Sequence, residues 1–171
     1  AYAYMDQFED ARTSIAAAEA YYDTIHDDAA IVNLYRSQAN TLLQLMAHEE
    51  ALLYVNKALA YHEANEDMYA AQGLNLIKSD CLYELNRYQE AEAALLIELA
   101  LAEEVGLKET ELNCYNRLKR IRHTQGNYEE AFAYAEAELS LKDSVYSQDL
   151  WAKTAEERIR QDVDTEQQAR E

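Results

Sequence analysis

His26, His48, His62 and His123, the thiols Cys81 and Cys114, and 33 carboxylates are the side chains with which this chain could ligate a metal, attack a carbonyl or move a proton. Their spacing assembles none of those sites. The histidines form no His-Glu-x-x-His pair, three glycines leave no glycine-rich phosphate loop, and two cysteines are too few for a zinc site or a disulfide scaffold. Both cysteines fall inside stretches that read as helix, where a small buried thiol is the ordinary outcome. Paired acids such as Glu49–Glu50 and Glu129–Glu130 stand in the first turn of helices, where the helix dipole accounts for them. The sequence therefore predicts no catalytic residue, no metal and no cofactor.

The elements that carry these residues follow from composition. The chain has 171 residues, no proline, and 49% hydrophobic residues, enough apolar material for one continuous core. Helix formers abound and the turn residues that strands need are scarce, so the chain reads as all-α. A net charge of −18 repels phosphate backbones and anionic lipid head groups, which argues against nucleic acid as a partner. The charge is uneven, with 5 Lys/Arg against 19 Asp/Glu in residues 1–107 and 10 against 14 in 108–171. No run is long and apolar enough to span a bilayer and no signal peptide is visible, so membrane contact is expected only through segments outside this sequence. The chain begins AYAYMDQF, partway through a structural unit, and reads as a piece of a longer protein. Cysteine usage leaves its compartment open.

The organising signal is a phrase that occurs four times, as FEDARTSIAAAEAYY, HEEALLYVNKALAY, YQEAEAALLIELAL and NYEEAFAYAEAELSLKD. Aligned on Ala11, Ala51, Ala91 and Ala131, the copies recur at a constant step of forty. Three residues earlier stand Phe8, His48, Tyr88 and Tyr128. Four later come Ile15, Val55, Leu95 and Ala135, and eight later Glu19, Leu59, Leu99 and Leu139, which completes a stripe along one helical face. Ahead of the phrase, Leu34, Leu42 and Leu45 correspond to Leu74, Leu82 and Leu85, again at helical spacing. Short turns, MAHE at 46–49, NRYQ at 86–89 and QGNY at 125–128, separate the halves, with Gly126 fitted for left-handed torsions. Between units the breaks are HDDA, ANED and EVGL. Gly106 is a predicted C-terminal cap, and Asp27, Asp28, Asn65 and Asp67 are predicted N-caps. Each unit is thus two antiparallel helices that bury their stripes only by stacking on neighbouring pairs.

The aromatic-x-x-Ala phrase (Phe8 to Ala11, Tyr88 to Ala91, Tyr128 to Ala131), the small residues Ala39 and Ser79 in the facing helix, and Ala18 and Ala58 in the second helix resemble the tetratricopeptide repeat over residues 1–145. The first unit lacks most of its leading helix. A unit of this length without proline is longer than the usual one of about 34 residues. The longer form looks like the arrays of membrane-associated sensor kinases and transcriptional regulators of the Bacteroidetes type. LSLKDSVYSQDLWAKTAEERIRQ, residues 139–161, is similar to the segment that closes such arrays. The resemblance implies a right-handed α-α superhelix with a C-terminal capping and connector helix over 146–171, and favours the periplasmic face of a membrane-anchored protein. In that helix Leu150, Trp151, Ala155, Ile159 and Val163 form the packing stripe, and beyond Asp164 the tail is expected to be solvated or frayed.

The resemblance also implies a concave groove, lined by the first helix of each unit, that grips an extended peptide or a partner's helix. Carried over column by column, its residues are Asn33, Arg36, Asn40, Leu43 and Gln44; Leu76, Asp80, Tyr83 and Glu84; and Asn113, Asn116, Arg120 and His123. The plain alternative is that these are the polar sides of amphipathic helices. Arg36, Asn40 and Arg117 stand at places where some arrays clamp a chaperone's C-terminal carboxylate, but Ile77 and Asn113 lack the required chemistry, which disfavours a clamp. RLKRIRH, residues 117–123, is the basic cluster, with Arg117, Lys119, Arg120 and Arg122. Lys119 falls in the column of Ala39 and Ser79, and Arg122 in that of Leu42 and Leu82, so two core positions have turned cationic. Either packing loosens there, or acids of the last helix, Glu156 or Glu157, pair with them. The cluster is a docking point for an acidic segment or an electrostatic junction with that helix. The function read from this sequence is a non-catalytic interaction and sensing module of a signalling protein, binding a protein or peptide, with homodimers possible; a scaffold without signalling output is the alternative.

Overall fold

In a computed structural model, residues 10, 12–18, 20–21, 28–65 and 71–168 are described, the stretches 28–29, 31, 148–152 and 155–168 for their backbone alone. The phrase Phe8 to Ala11, Glu19, Asp27, Asp67, His26, and the side chains of Glu156, Glu157 and the stripe Leu150, Trp151, Ala155, Ile159 and Val163 lie outside the described residues. The described chain is all-α. A first helix, α1, includes residues 12–18. It is followed by α2 (Asp28–Gln44), α3 (His48–Ala64), α4 (Leu74–Glu84), α5 (Tyr88–Val105), α6 (Lys108–Thr124) and α7 (Tyr128–Gln168).

From α2 onward each helix packs on the next in sequence, and α2 also touches α4 while α4 touches α6. Among the described residues α2 does not close onto α6 or α7, so the layers form an open row with the even-numbered helices side by side. The stripe columns fill the interior. Ala51, Val55, Ala91 and Leu95 are fully buried, and Leu42 and Leu82 join Cys81, Cys114, Leu118 and Ile121 in one apolar cluster. A second cluster of Val32, Ala39, Val55, Ala58, Ala71 and Leu74 joins α2, α3 and the start of α4. Each leucine withdrawn from water contributes about 2 kcal/mol. Leu139 departs from its column: it is 61% exposed, because among the described residues no helix packs over that face of α7.

The three hairpin turns are copies of one another, one in each successive unit. Met46, Asn86 and Gly126 adopt φ of 60°, 59° and 76°. The next N–H in each turn reaches back five residues, from Ala47 to Leu42, Arg87 to Leu82 and Asn127 to Arg122, at 2.8 to 2.9 Å. This is the Schellman pattern, which satisfies helix-end carbonyls but demands left-handed torsions that cost a side chain about 1 kcal/mol. Met46 is 69% exposed and gains little packing to offset that strain. Met46→Gly is therefore expected to raise stability by about 0.5 kcal/mol in urea titration, after Gly's greater freedom in the unfolded chain is deducted. Asn86 tolerates the torsion better and accepts a hydrogen bond from the Tyr88 hydroxyl at 2.7 Å, so Asn86→Gly should gain nothing.

Several cap assignments change. Gly106 ends α5 in the left-handed conformation as expected. Asn65, however, closes α3 at its C-terminus, its amide donating to the Tyr61 carbonyl at 2.8 Å, and Asp28 is the first residue of α2 rather than a cap. α4 starts only at Leu74, after Gly73 at φ 81°. Its orphan N–H is met from a distance: Gly73 donates to Oε1 of the fully buried Glu98 on α5 at 2.6 Å. Burial pushes the Glu98 carboxyl above the usual range, against the hydrogen bonds that lower it. At the other end no turn separates residues 145 and 146, since α7 runs unbroken to Gln168, so the connector is the continuation of the last hairpin's second helix. The backbone is helical through residue 168. Its 41 residues span about 60 Å, and among the described residues no helix is long and apolar enough to cross a membrane.

Candidate functional site: an inter-helix groove

The side-by-side even-numbered helices bound a groove of about 530 Å³. α2 contributes Leu43 and Gln44, α4 Asp80 and Glu84, α6 Asn116, Arg117 and Arg120, and the first turn adds Met46 and His48. The residues share one wall because positions one period apart occupy equivalent places on stacked units: Gln44 and Glu84 form one column, Asp80 and Arg120 another.

Asp80 organises the charged half. Arg117 grips it with both ends of its guanidinium, Nε to Oδ1 at 3.0 Å and Nη2 to Oδ2 at 2.8 Å, in the bidentate geometry that makes such pairs strong. Arg120 adds a contact to Oδ1 at 3.3 Å while its guanidinium carbon lies 4.0 Å from the centre of the Tyr83 ring. Tyr83 is itself held, its hydroxyl 2.8 Å from Thr124 Oγ1 and its ring edge-on to Tyr88. Two arginines share Asp80, and Glu84 one turn further along α4 balances the second of them, so the wall is densely charged but has no net charge; Leu43 and Met46 supply the apolar end.

Of the thirteen residues anticipated from the sequence, Leu43, Gln44, Asp80, Glu84, Asn116 and Arg120 line this groove. Tyr83 supports it from behind Arg120. Asn33 and Asn40 are exposed on α2, Arg36 is half-buried, and Leu76 packs against the core. Asn113 is half-buried, with its carbonyl accepting from Arg117 at 3.4 Å, and His123 meets Tyr128 edge-on. Met46 and His48 were missed because one belongs to the turn and the other opens α3, outside the first helices of the units. Their signal was the column itself, since the same turn recurs at Asn86 and Gly126. Arg117, one of the three places of a carboxylate clamp, is spent on Asp80.

The basic cluster is paired throughout. Beyond the Arg117 and Arg120 pairs, Lys119 meets Glu138 at 2.6 Å, and Arg122 meets Glu92 and, at 2.9 Å, Glu130. The partners are thus Glu92 on α5 and Glu130 and Glu138 in the first half of α7, in place of Glu156 and Glu157. Both substitutions follow the repeat. Ala39 and Ala58, both fully buried, are replaced one unit later by Ser79 and Glu98 and then by Lys119 and Glu138. Leu52 and Leu82, which share one apolar cluster, are replaced by Glu92 and Arg122. Each cation therefore lies opposite an acid in the column that faces it.

The two thiols are fully buried, and burial pushes each up to about 12, so neither is a thiolate at neutral pH. No protein-family model matches the chain, and no curated protein matches it.

Proposed function

We propose that the chain is a non-catalytic protein–protein interaction and sensing module of a larger signalling protein, a right-handed superhelical array of tetratricopeptide type that holds an extended peptide or a partner's helix in its groove. The observation that carries this reading is the open groove across three even-numbered helices, apolar at Leu43 and Met46 and charged at Asp80, Glu84 and Arg120. Such a wall offers polar contacts to a peptide backbone and a pocket for an apolar side chain. The recurrence of one hairpin turn at Met46, Asn86 and Gly126 supports the array.

Peptides selected from a random display library on the 171-residue chain test the reading. Leu43→Glu and Asn116→Lys should each weaken the selected peptides about tenfold by fluorescence anisotropy, since one introduces a charge at the apolar end and the other fills the wall. Ala100→Glu, on the exposed side of α5, should leave binding unchanged. Peptides indifferent to both groove changes would sink the proposal. The scaffold alternative predicts that a bound peptide leaves hydrogen exchange over residues 146–164 unaltered, whereas sensing requires that helix to respond.

A further inference from the structure

The groove carries its chemistry in a fixed order. α4 stands between α2 and α6, so a ligand crossing the groove meets Leu43 and Met46 first, then Glu84, then Arg120. The other two charges are spent on each other. Asp80 and Arg117 close in bidentate fashion, whereas Glu84 is exposed and, among the described residues, has neither an ion pair nor a hydrogen bond. Arg120 is 46% exposed, and among the described residues its one ion pair, to Asp80, is 3.3 Å long. Stacking at 4.0 Å on the Tyr83 ring holds its guanidinium in place and leaves further N–H groups for a ligand.

Dimensions choose the form of the ligand. Helix axes in contact lie about 8–10 Å apart, so the way from α2 across α4 to α6 is on the order of 18 Å. A helical ligand of that length and about 10 Å in diameter displaces on the order of 1,400 Å³. The groove holds about 530 Å³. An extended strand covers the same distance in about five or six residues and turns alternate side chains to one face. Three side chains therefore point inward, one for each patch.

We propose that the groove takes an extended peptide with an apolar, a basic and an acidic residue at alternate positions, in that order from α2 to α6. The proposal rests on the reading of the groove as a peptide site and adds the ligand's charge order to it. The apolar side chain settles between Leu43 and Met46, the cation meets Glu84, and the carboxylate meets the unspent N–H groups of Arg120. Arg120 leans back over α4 to reach Asp80 and Tyr83, so the last step is shorter than the spacing of the helix axes, as alternate residues about 7 Å apart require. The wall has no net charge, so total charge does not select the ligand; its order does. A peptide of the same composition with its two charges exchanged sets acid against Glu84 and cation against Arg120, and is repelled at both.

Peptides of a random 12-residue display library, selected on the 171-residue chain and sorted for loss of binding to Leu43→Glu, test it by fluorescence anisotropy. Their sequences should share the apolar, basic and acidic residues at alternate positions. Glu84→Lys should weaken them about tenfold, and changing the peptide's basic residue to Glu should restore binding to that variant. Exchanging the peptide's two charges should cost at least tenfold on the wild type and be recovered on Glu84→Lys combined with Arg120→Glu. Glu84 and Arg120 are both exposed, so helical circular dichroism should stay unchanged in these variants. Leu43-dependent peptides that lack the charged pair, or that bind Glu84→Lys and Arg120→Glu as tightly as the wild type, overturn the charge order and leave the peptide groove standing. A library that yields no Leu43-dependent peptide overturns both.

Discussion

Arg122→Leu is expected to destabilise the fold by about 3 kcal/mol, whereas the double change Arg122→Leu with Glu92→Leu should return stability to within about 1 kcal/mol of the wild type or above it. Arg122 and Glu92 are 23% and 16% exposed, so removing the cation strands a carboxylate that solvent hardly reaches. Glu92→Leu alone should cost less, about 1 kcal/mol, because Arg122 keeps its pair with Glu130 at 2.9 Å. The double change writes into this junction the Leu52 and Leu82 pair that the previous junction buries. Replacing a buried ion pair by apolar residues of matching shape is often neutral or stabilising, because the desolvation of two charges is no longer required. A double-mutant cycle measured by chemical denaturation should thus yield a coupling of about 3 kcal/mol. Additive single effects would show that the two columns do not face each other energetically.

The second large effect depends on pH. Glu138 is 7% exposed and its carboxyl is held down to about 2, first by the Lys119 hydrogen bond and then by that of Lys142, each at 2.6 Å. A carboxyl depressed in the folded state contributes stability above its unfolded value of about 4.5, and loses it as pH falls towards 2. Lys119 and Lys142 are 34% and 55% exposed, and solvent screens them, so the contribution is about 2 kcal/mol. Lys119→Met should remove most of it at pH 7 and flatten the loss of stability between pH 4.5 and 2. Lys119→Ala combined with Glu138→Ala recreates the buried Ala39 and Ala58 pair and should cost less than either change alone. Urea titrations at pH 7 and pH 3 decide it: an unchanged acid limb in Lys119→Met would remove Glu138 from this role.

The two ion pairs also show how far the sequence can be read. Lys119 and Arg122 are recognisable from the chain alone as charges in core columns, because the columns of Ala39 and Leu42 are read off a fixed period. The acids that meet them stand in columns of the same kind: Glu92 below Leu52, Glu138 below Ala58. Reading facing columns together would have found them. Reading the basic segment by itself pointed instead to Glu156 and Glu157. In the groove, Asp80, Glu84 and Arg120 were legible from their helices, but the locking of Asp80 by Arg117 was not, since it joins residues 37 apart through the angle at which α4 and α6 pack.

The sequence by itself determined that the chain is helical, where the hairpins turn, and which columns face inward, because helix propensity and a stripe at helical spacing are local properties repeated in every unit. Tertiary structure alone decided that Met46 takes a left-handed torsion normally left to glycine, and that Glu98 caps the late-starting α4 from another helix. It also decided that Leu139 is left in solvent while Leu99 is buried. Each of these depends on what stands opposite a residue, and the identity of that neighbour is set by helices that meet only when the units stack.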